Sequence, residues 1–175
     1  MKLYEWFIKM SVIILVSFVF YYVTNFIIIS QLLIQILPYS LVLIAFCKVS
    51  YILYSTYKKI IESANHNLAF HKFLVFVLVN MSLAVCSFAA DFWNIYALNH
   101  SNFEGINDKF TIFEQIFECL YFSMLTYSYF GYGEILPTTI PAKLLVMMEV
   151  GLAFLTMIFV LADFIGLKES LKENK

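Results

Sequence analysis

Long apolar stretches separated by short polar segments are the dominant pattern of the chain. Residues 6–54 are almost continuously apolar, which is enough for two membrane-spanning helices of about 20 residues each. The break between them is predicted at residues 30–38, where two glutamines and a proline interrupt an aliphatic run. The first span is therefore predicted at residues 10–29, as a retained helix rather than a cleaved secretory signal, and the second at residues 39–57.

Two more apolar stretches lie nearer the C-terminus. A polar connector at residues 58–72 leads to a third predicted span at residues 73–90, and a fourth is predicted at residues 144–165. Residues 91–143 lie between these two spans and are half polar and half apolar. This segment is too interrupted to be a simple loop or a simple span, so the functional residues are predicted to lie in it.

The lysines give the predicted orientation in the membrane. With four crossings, the lysines of both termini and of the connector all fall on one side, and the segment 91–143 carries six acidic residues against two lysines. Short cytoplasmic loops carry an excess of basic residues. The chain is therefore predicted to be a multi-pass protein of the cell membrane, with both termini in the cytoplasm.

Composition supports a lipid environment and removes several classes of function. Apolar residues make up 62% and charged residues 13%, whereas soluble domains run near about 45–50% and 25%. The net charge is -1 and every basic residue is a lysine, so a nucleic-acid partner is not expected. The three cysteines show neither a disulfide framework nor a metal-ligand spacing. No cluster of nucleophile, base and orienting group indicates an enzyme.

A short helix followed by a glycine-containing loop is predicted within the outer segment. Thr111 and Glu114 have the spacing of a capping box, and an apolar run follows at residues 113–126. That run ends in Tyr-Phe-Gly-Tyr-Gly at residues 129–133. Glycines at alternate positions permit backbone conformations that other residues avoid, so successive carbonyls can turn the same way. Such carbonyls can replace the water around a dehydrated cation.

Residues 120–139, LYFSMLTYSYFGYGEILPTT, resemble the pore signature of the potassium-channel superfamily, LYFSxxTxTTVGYGDxxPTT. The order of elements over residues 73–167 is also similar to the superfamily's two-helix pore module. The resemblance implies an all-α integral membrane protein with four transmembrane helices. It also implies a re-entrant pore helix and a selectivity-filter loop between the third and fourth helices. A chain with one pore signature is expected to form a homotetramer in the lipid bilayer.

The hydropathy pattern, together with this resemblance over residues 73–167, predicts the organisation of the whole chain. Two N-terminal transmembrane helices occupy residues 1–57, a cytoplasmic connector residues 58–72, the pore module residues 73–167, and a short cytoplasmic tail residues 168–175. The tail is too short for a ligand-binding domain, so ligand control would act on the membrane helices or through a separate regulatory protein. No cofactor is expected, and K+ is the permeant ion.

The resemblance also assigns roles to single residues. The ion-binding filter would be formed by five consecutive residues: Tyr129, Phe130, Gly131, Tyr132 and Gly133. Within it, the backbone carbonyls of Phe130, Gly131 and Tyr132 would hold K+. Thr126 and Ser128 precede the filter and match residues that support it in the family.

Three residues depart from the family pattern. Tyr129 replaces the threonine whose hydroxyl lines the innermost ion site, so four phenols could narrow the pore, remove that site or swing aside. Phe130 replaces a valine or isoleucine that points behind the filter, and therefore needs a roomier pocket. Glu134 replaces an aspartate at the outer mouth and keeps its charge on a longer side chain.

The fourth span contributes further candidates. Glu149 is expected to accept hydrogen bonds from pore-helix groups, with direct ion contact as the alternative. The family's hinge glycine aligns with Ala153, and Gly151 lies two positions earlier. Lys48, in the second span, needs a partner in hydrocarbon. Asp163 is the predicted partner, and the alternative is that Lys48 reaches the headgroups alone.

Three readings of function follow from these residues. The first is a tetrameric potassium-selective channel, and the second is a weakly selective cation channel altered at Tyr129. The third is a non-conducting membrane subunit that keeps the fold but is plugged by Tyr129. The direction of the Tyr129 side chain is the feature that separates them.

Overall fold

The structure is a computed structural model that describes residue 19 and residues 31–65 and 70–173, with side chains for residues 19, 36–58 and 75–162. Apart from Val19, the predicted first span lies outside this part of the chain.

Four helices form the described part of the protein. They are α1 (Gln31–Asn65), α2 (Phe70–Leu98), α3 (Ile112–Tyr127) and α4 (Ile140–Glu173). Three of them contain stretches long and apolar enough to cross a membrane, at Ile36–Lys58, Val75–Leu98 and Ile140–Ala162. The predicted second, third and fourth spans are thus confirmed as long apolar helices, and α3 is the short helix predicted between the last two.

Helices extend beyond several of the predicted boundaries. Pro38 lies inside α1, so it does not separate two helices; an apolar environment tolerates such a proline because neighbouring groups satisfy the freed backbone. The predicted connector at 58–72 is helical up to Asn65 and again from Phe70, which leaves residues 66–69 between α1 and α2. In the same way α4 continues to Glu173, through most of the predicted tail.

The third span ends later than predicted, at Leu98 rather than at residue 90. The polar residues Asp91 and Asn94 suggested a surface segment, but both are 1% exposed because the other helices cover them. The hydropathy pattern therefore placed the end of the span next to Asp91, a buried polar residue that lies inside the helix.

Aromatic packing joins the C-terminal part of α2 to α3. The rings of Phe92, Phe103 and Phe122 contact one another edge to face, with centroid separations of 5.1 to 5.6 Å. Each such pair contributes about 0.5–1.5 kcal/mol beyond simple burial. α1 packs on α4 and α2, so the core lies between the four helices.

A two-residue strand pair interrupts the otherwise helical fold. Strand β1 (Phe103–Glu104) pairs antiparallel with β2 (Leu136–Pro137). Asn102 reinforces this junction from both sides: its side chain donates to the Ile95 carbonyl at 2.7 Å, and its Oδ1 accepts from Thr139 at 2.7 Å. The end of α2 and the start of α4 are therefore fixed to each other next to the loop that follows α3.

Candidate functional site

The site is built on the short helix α3, whose start matches the prediction. The Thr111 N–H donates to Glu114 Oε2 at 2.7 Å, and the Glu114 N–H donates to Thr111 Oγ1 at 3.4 Å, which completes a capping box. The Thr111 backbone N–H, and next its hydroxyl, hold the pKa of the Glu114 carboxyl below its usual value. The first turn of α3 is thus set by these two residues alone.

The end of α3 forms a Schellman motif. The Phe130 N–H donates to the Leu125 carbonyl at 3.0 Å and the Tyr129 N–H donates to the Thr126 carbonyl at 3.2 Å. Ser128 is the C-cap, and its hydroxyl donates to the Met124 carbonyl at 2.7 Å. Tyr129 occupies the left-handed position that this motif usually gives to glycine, with φ +62°. A non-glycine residue there costs on the order of 1–3 kcal/mol.

The loop that follows, residues 129–133, alternates its backbone handedness. φ is positive at Tyr129, at Gly131 (+50°) and at Gly133 (+77°), and it is not positive at the two residues between them. An added Cβ at either glycine would meet nothing within 4 Å in this subunit. The glycines are therefore required by backbone conformation and not by lack of space, as the sequence indicated; the left-handed Tyr129 was not predicted.

The directions of the loop side chains were only partly predicted from the sequence. The Tyr129 hydroxyl donates to the Val150 carbonyl of α4 at 3.2 Å. Phe130 was expected to need a roomier pocket behind the loop; within one subunit its ring is 67% exposed and stacks on Tyr132, with centroids 6.1 Å apart. Because alternate residues have positive φ, residues 130 and 132 present their rings on the same side.

The outer end of the loop is held by two contacts that sequence reasoning missed. The Tyr121 hydroxyl donates to Glu134 Oε2 at 3.2 Å. Gly105 has φ +99°, and a Cβ there would lie 1.9 Å from the Glu134 carbonyl oxygen. The only sequence signal was indirect: Tyr121 belongs to the LYFS motif, and Gly105 is an isolated glycine between polar residues. Glu134 is thus held through both its side chain and its backbone.

A cavity of about 280 Å³ lies between α3, the loop and α4. Its lining includes Tyr121, Tyr129, Glu134, Val146 and Val150. The loop is therefore not packed directly on α4 along its length, and the Tyr129 contact bridges the gap at one end.

Glu149 is fully buried behind α3, where its carboxyl group faces the Ser123 hydroxyl of that helix. Its Oε1 is within hydrogen-bond distance of Ser123 Oγ, and Ser123 Oγ also lies 2.9 Å from the Val85 carbonyl oxygen of α2. The candidate hinge residues Gly151 and Ala153 lie in an uninterrupted part of α4, the first exposed and the second buried. One helix therefore carries both the buried acid and the hinge candidates.

Lys48 is buried, and the structure pairs it with Asp91 of α2, an acid that was not predicted as its partner. Its ammonium group also donates to Ser87 Oγ at 3.2 Å. The side chain of Asp163 lies outside the described residues. The prediction looked for a partner near the cytoplasmic end of α4, but Asp91 is itself buried in a helix that packs on α1, so the two charges meet inside the protein.

Within residues 36–58 and 75–162, whose side chains the structure describes, no group of three or more His, Cys, Asp or Glu side chains could hold a metal ion.

Comparison with known proteins gives one match. A family model described as an ion channel matches residues 75–167, more than half of the 175-residue chain. No curated protein and no solved structure matches the chain. The matched stretch contains most of α2, all of α3, the loop and most of α4, whereas α1 with Lys48 lies before it.

Proposed function

The chain belongs to the ion-channel family, as a pore module of the potassium-channel superfamily in a membrane protein, and we propose that it is a potassium-selective channel that works as a homotetramer. In this proposal K+ crosses the membrane without its hydration shell. The backbone carbonyls of Phe130, Gly131 and Tyr132 take the place of that water. The chain crosses the cell membrane several times. Both of its termini face the cytoplasm, as the lysine distribution favours.

The observation that carries the proposal is the alternating backbone of residues 129–133. Positive φ at every second residue lets carbonyls that would otherwise alternate in direction point to one side. The loop begins directly at the C-terminus of α3, and a helix C-terminus carries about half a negative charge. A cation in front of the loop is therefore favoured by the helix as well as by the carbonyls.

The tetramer is supported by what a single subunit leaves exposed. Ile112, Phe113, Phe117 and Met124 of α3 are each more than half exposed, and so are the aromatic rings at positions 130 and 132. One subunit also has only one such loop, which cannot surround an ion by itself. Four copies around an axis supply the rest of the ion path and neighbours for these apolar faces.

Weak cation selectivity is the second candidate, and one observation favours it. The Tyr129 hydroxyl is bonded to the Val150 carbonyl, so it does not occupy the place of a threonine hydroxyl at an innermost ion site. The channel then lacks the innermost ion site that such a hydroxyl would line.

The test is ion flux into liposomes that carry the purified protein. We expect K+ uptake well above that of protein-free liposomes, and much less uptake of Na+. Gly131→Ala should abolish uptake because alanine disfavours φ of +50°. Cys86→Ala, a small change at an exposed position on α2, is the matched control and should conduct normally. Equal K+ and Na+ uptake would support the weakly selective channel, and no uptake would overturn both candidates.

A further inference from the structure

Four helices meet at one buried polar cluster, formed by Lys48 of α1, Asp91 of α2, Ser123 of α3 and Glu149 of α4. None of the four residues is more than 8% exposed. Lys48, Asp91 and Glu149 lie within the three candidate membrane spans, where charged groups are costly unless they are paired, and Ser123 lies in α3. The contacts within this cluster therefore limit its net charge and the number of protons that it holds.

The cluster contains one cation and two acids. Lys48 contacts Asp91 directly and donates a second hydrogen bond to Ser87, so the charge of Asp91 is compensated. Asp91 is also close enough to Glu149 to act on it electrostatically. If both acids were ionised, one buried negative charge would be left without a cation.

The number of protons needed at Ser123 indicates whether Glu149, the second acid, is protonated. Ser123 Oγ lies 2.9 Å from the Val85 carbonyl oxygen and within hydrogen-bond distance of Glu149 Oε1. Two close oxygen–oxygen contacts need two protons, because bare lone pairs repel. A carbonyl has no proton to give, and a serine hydroxyl has one. The second proton must therefore come from Glu149.

The other oxygen of Glu149 leads to the same conclusion. Oε2 has no hydrogen-bond partner within the part of the chain that the structure describes. The side chain is 0% exposed within its own subunit, so a neighbouring subunit cannot reach it. A carboxylate with one unsolvated oxygen would be very costly there, whereas a neutral carboxyl group is far less so. Besides Asp91, the titratable group close to Glu149 is the Tyr127 phenol of α3, which brings no positive charge.

We propose that Glu149 is held as a neutral carboxyl group that donates its proton to Ser123, and that Asp91 is the one ionised acid of the cluster, balanced by Lys48. The two acids then have different tasks. Glu149 joins α4 to α3, the helix that carries the loop, through a neutral hydrogen bond. Asp91 joins α1, which lies outside the family match, to the pore module through an ion pair.

Neutralising each acid separately distinguishes their states. Glu149→Gln keeps a neutral group that can donate to Ser123, so its thermal unfolding midpoint should stay within a few degrees of the native protein. Asp91→Asn removes the acid that is paired with the buried Lys48, and should lower the midpoint by roughly 10 °C or more. The double variant Lys48→Met with Asp91→Asn removes both charges and should recover much of that loss. The proposal is overturned if Glu149→Gln is as damaging as Asp91→Asn.

Infrared spectroscopy of the purified protein at neutral pH reads the proton directly. A protonated carboxyl group has a carbonyl stretch well separated from carboxylate bands, and this band should be present in the native protein and absent from Glu149→Gln. It should persist in the Lys48→Met, Asp91→Asn double variant, which also serves if Asp91→Asn alone does not fold. A native spectrum without the band would overturn the proposal. Neither readout depends on conduction, so failure here is distinct from failure of the proposed channel function.

Discussion

The Tyr129 hydroxyl donates a hydrogen bond to the Val150 carbonyl oxygen across 3.2 Å, which ties the first residue of the loop to the N-terminal third of α4. The same tyrosine completes the Schellman motif of α3 with a left-handed backbone. Tyr129 is therefore a direct contact between the loop and α4. This residue is also where the sequence departs most from the superfamily pattern.

Tyr129→Thr is expected to raise the K+ to Na+ flux ratio and to lower thermal stability. The threonine hydroxyl can line the innermost ion site, but a β-branched residue disfavours φ of +62°. Tyr129→Phe is the control, since it keeps the ring and loses only the hydrogen bond, worth about 0.5–1.5 kcal/mol. Unchanged selectivity in the threonine variant would show that the side chain at 129 never faces the ions.

Glu134 can act by its charge or by holding the loop, and two variants separate these effects. Glu134→Gln removes the charge, so it should reduce inward K+ conductance at low salt and have less effect at high salt, where charges are screened. Tyr121→Phe keeps the charge and removes the hydrogen bond to it, so its effect should not depend on salt. A salt-independent loss in Glu134→Gln would show that the carboxylate acts as a brace alone.

Gly105→Ala tests the contact between the outer segment and the end of the loop. The new Cβ would collide with the Glu134 carbonyl oxygen, and φ is +99°, so we expect a loss on the order of 1–3 kcal/mol in the free energy of unfolding. Gly151→Ala is the matched control: it lies in a helix with open space around it, and should be neutral or stabilising by about 1 kcal/mol. Equal stability of the two variants would contradict the described geometry.

Glu114 predicts a pH dependence for the start of α3. Folding lowers the pKa of this carboxyl through the Thr111 N–H and hydroxyl. The capping box therefore contributes stability above the unfolded-state pKa, and this contribution is lost as the pH falls through the lowered folded-state value. Carbon-13 NMR of the Glu114 carboxyl measures the value directly. Glu114→Gln can form the same box without titrating, and should remove this part of the acid dependence.

The sequence predicted the parts of the site that depend on local spacing. The capping box at Thr111 and Glu114 was confirmed because it needs only residues three apart. Positive φ at Gly131 and Gly133 was anticipated because glycine at alternate positions is a local signal. The long apolar helices were predicted because hydropathy along one helix is sufficient for them.

The features it missed depend on contacts between distant segments. Lys48 and Asp91 are 43 residues apart, and hydropathy does not indicate which helices pack together. Asp91 was taken as the start of an outer segment because a lone acid in an apolar run normally marks an end. Tyr129 took a glycine-like conformation because hydrogen bonds at the end of α3 outweigh its intrinsic preference.

We propose that the loop at residues 129–133 selects K+ over other cations. The most direct measurement is the reversal potential of the purified protein in a planar bilayer, with K+ on one side and Na+ on the other. We expect a reversal potential displaced far from zero in the direction of K+ permeation. A reversal potential near zero, with a conductance that Gly131→Ala does not change, would contradict it.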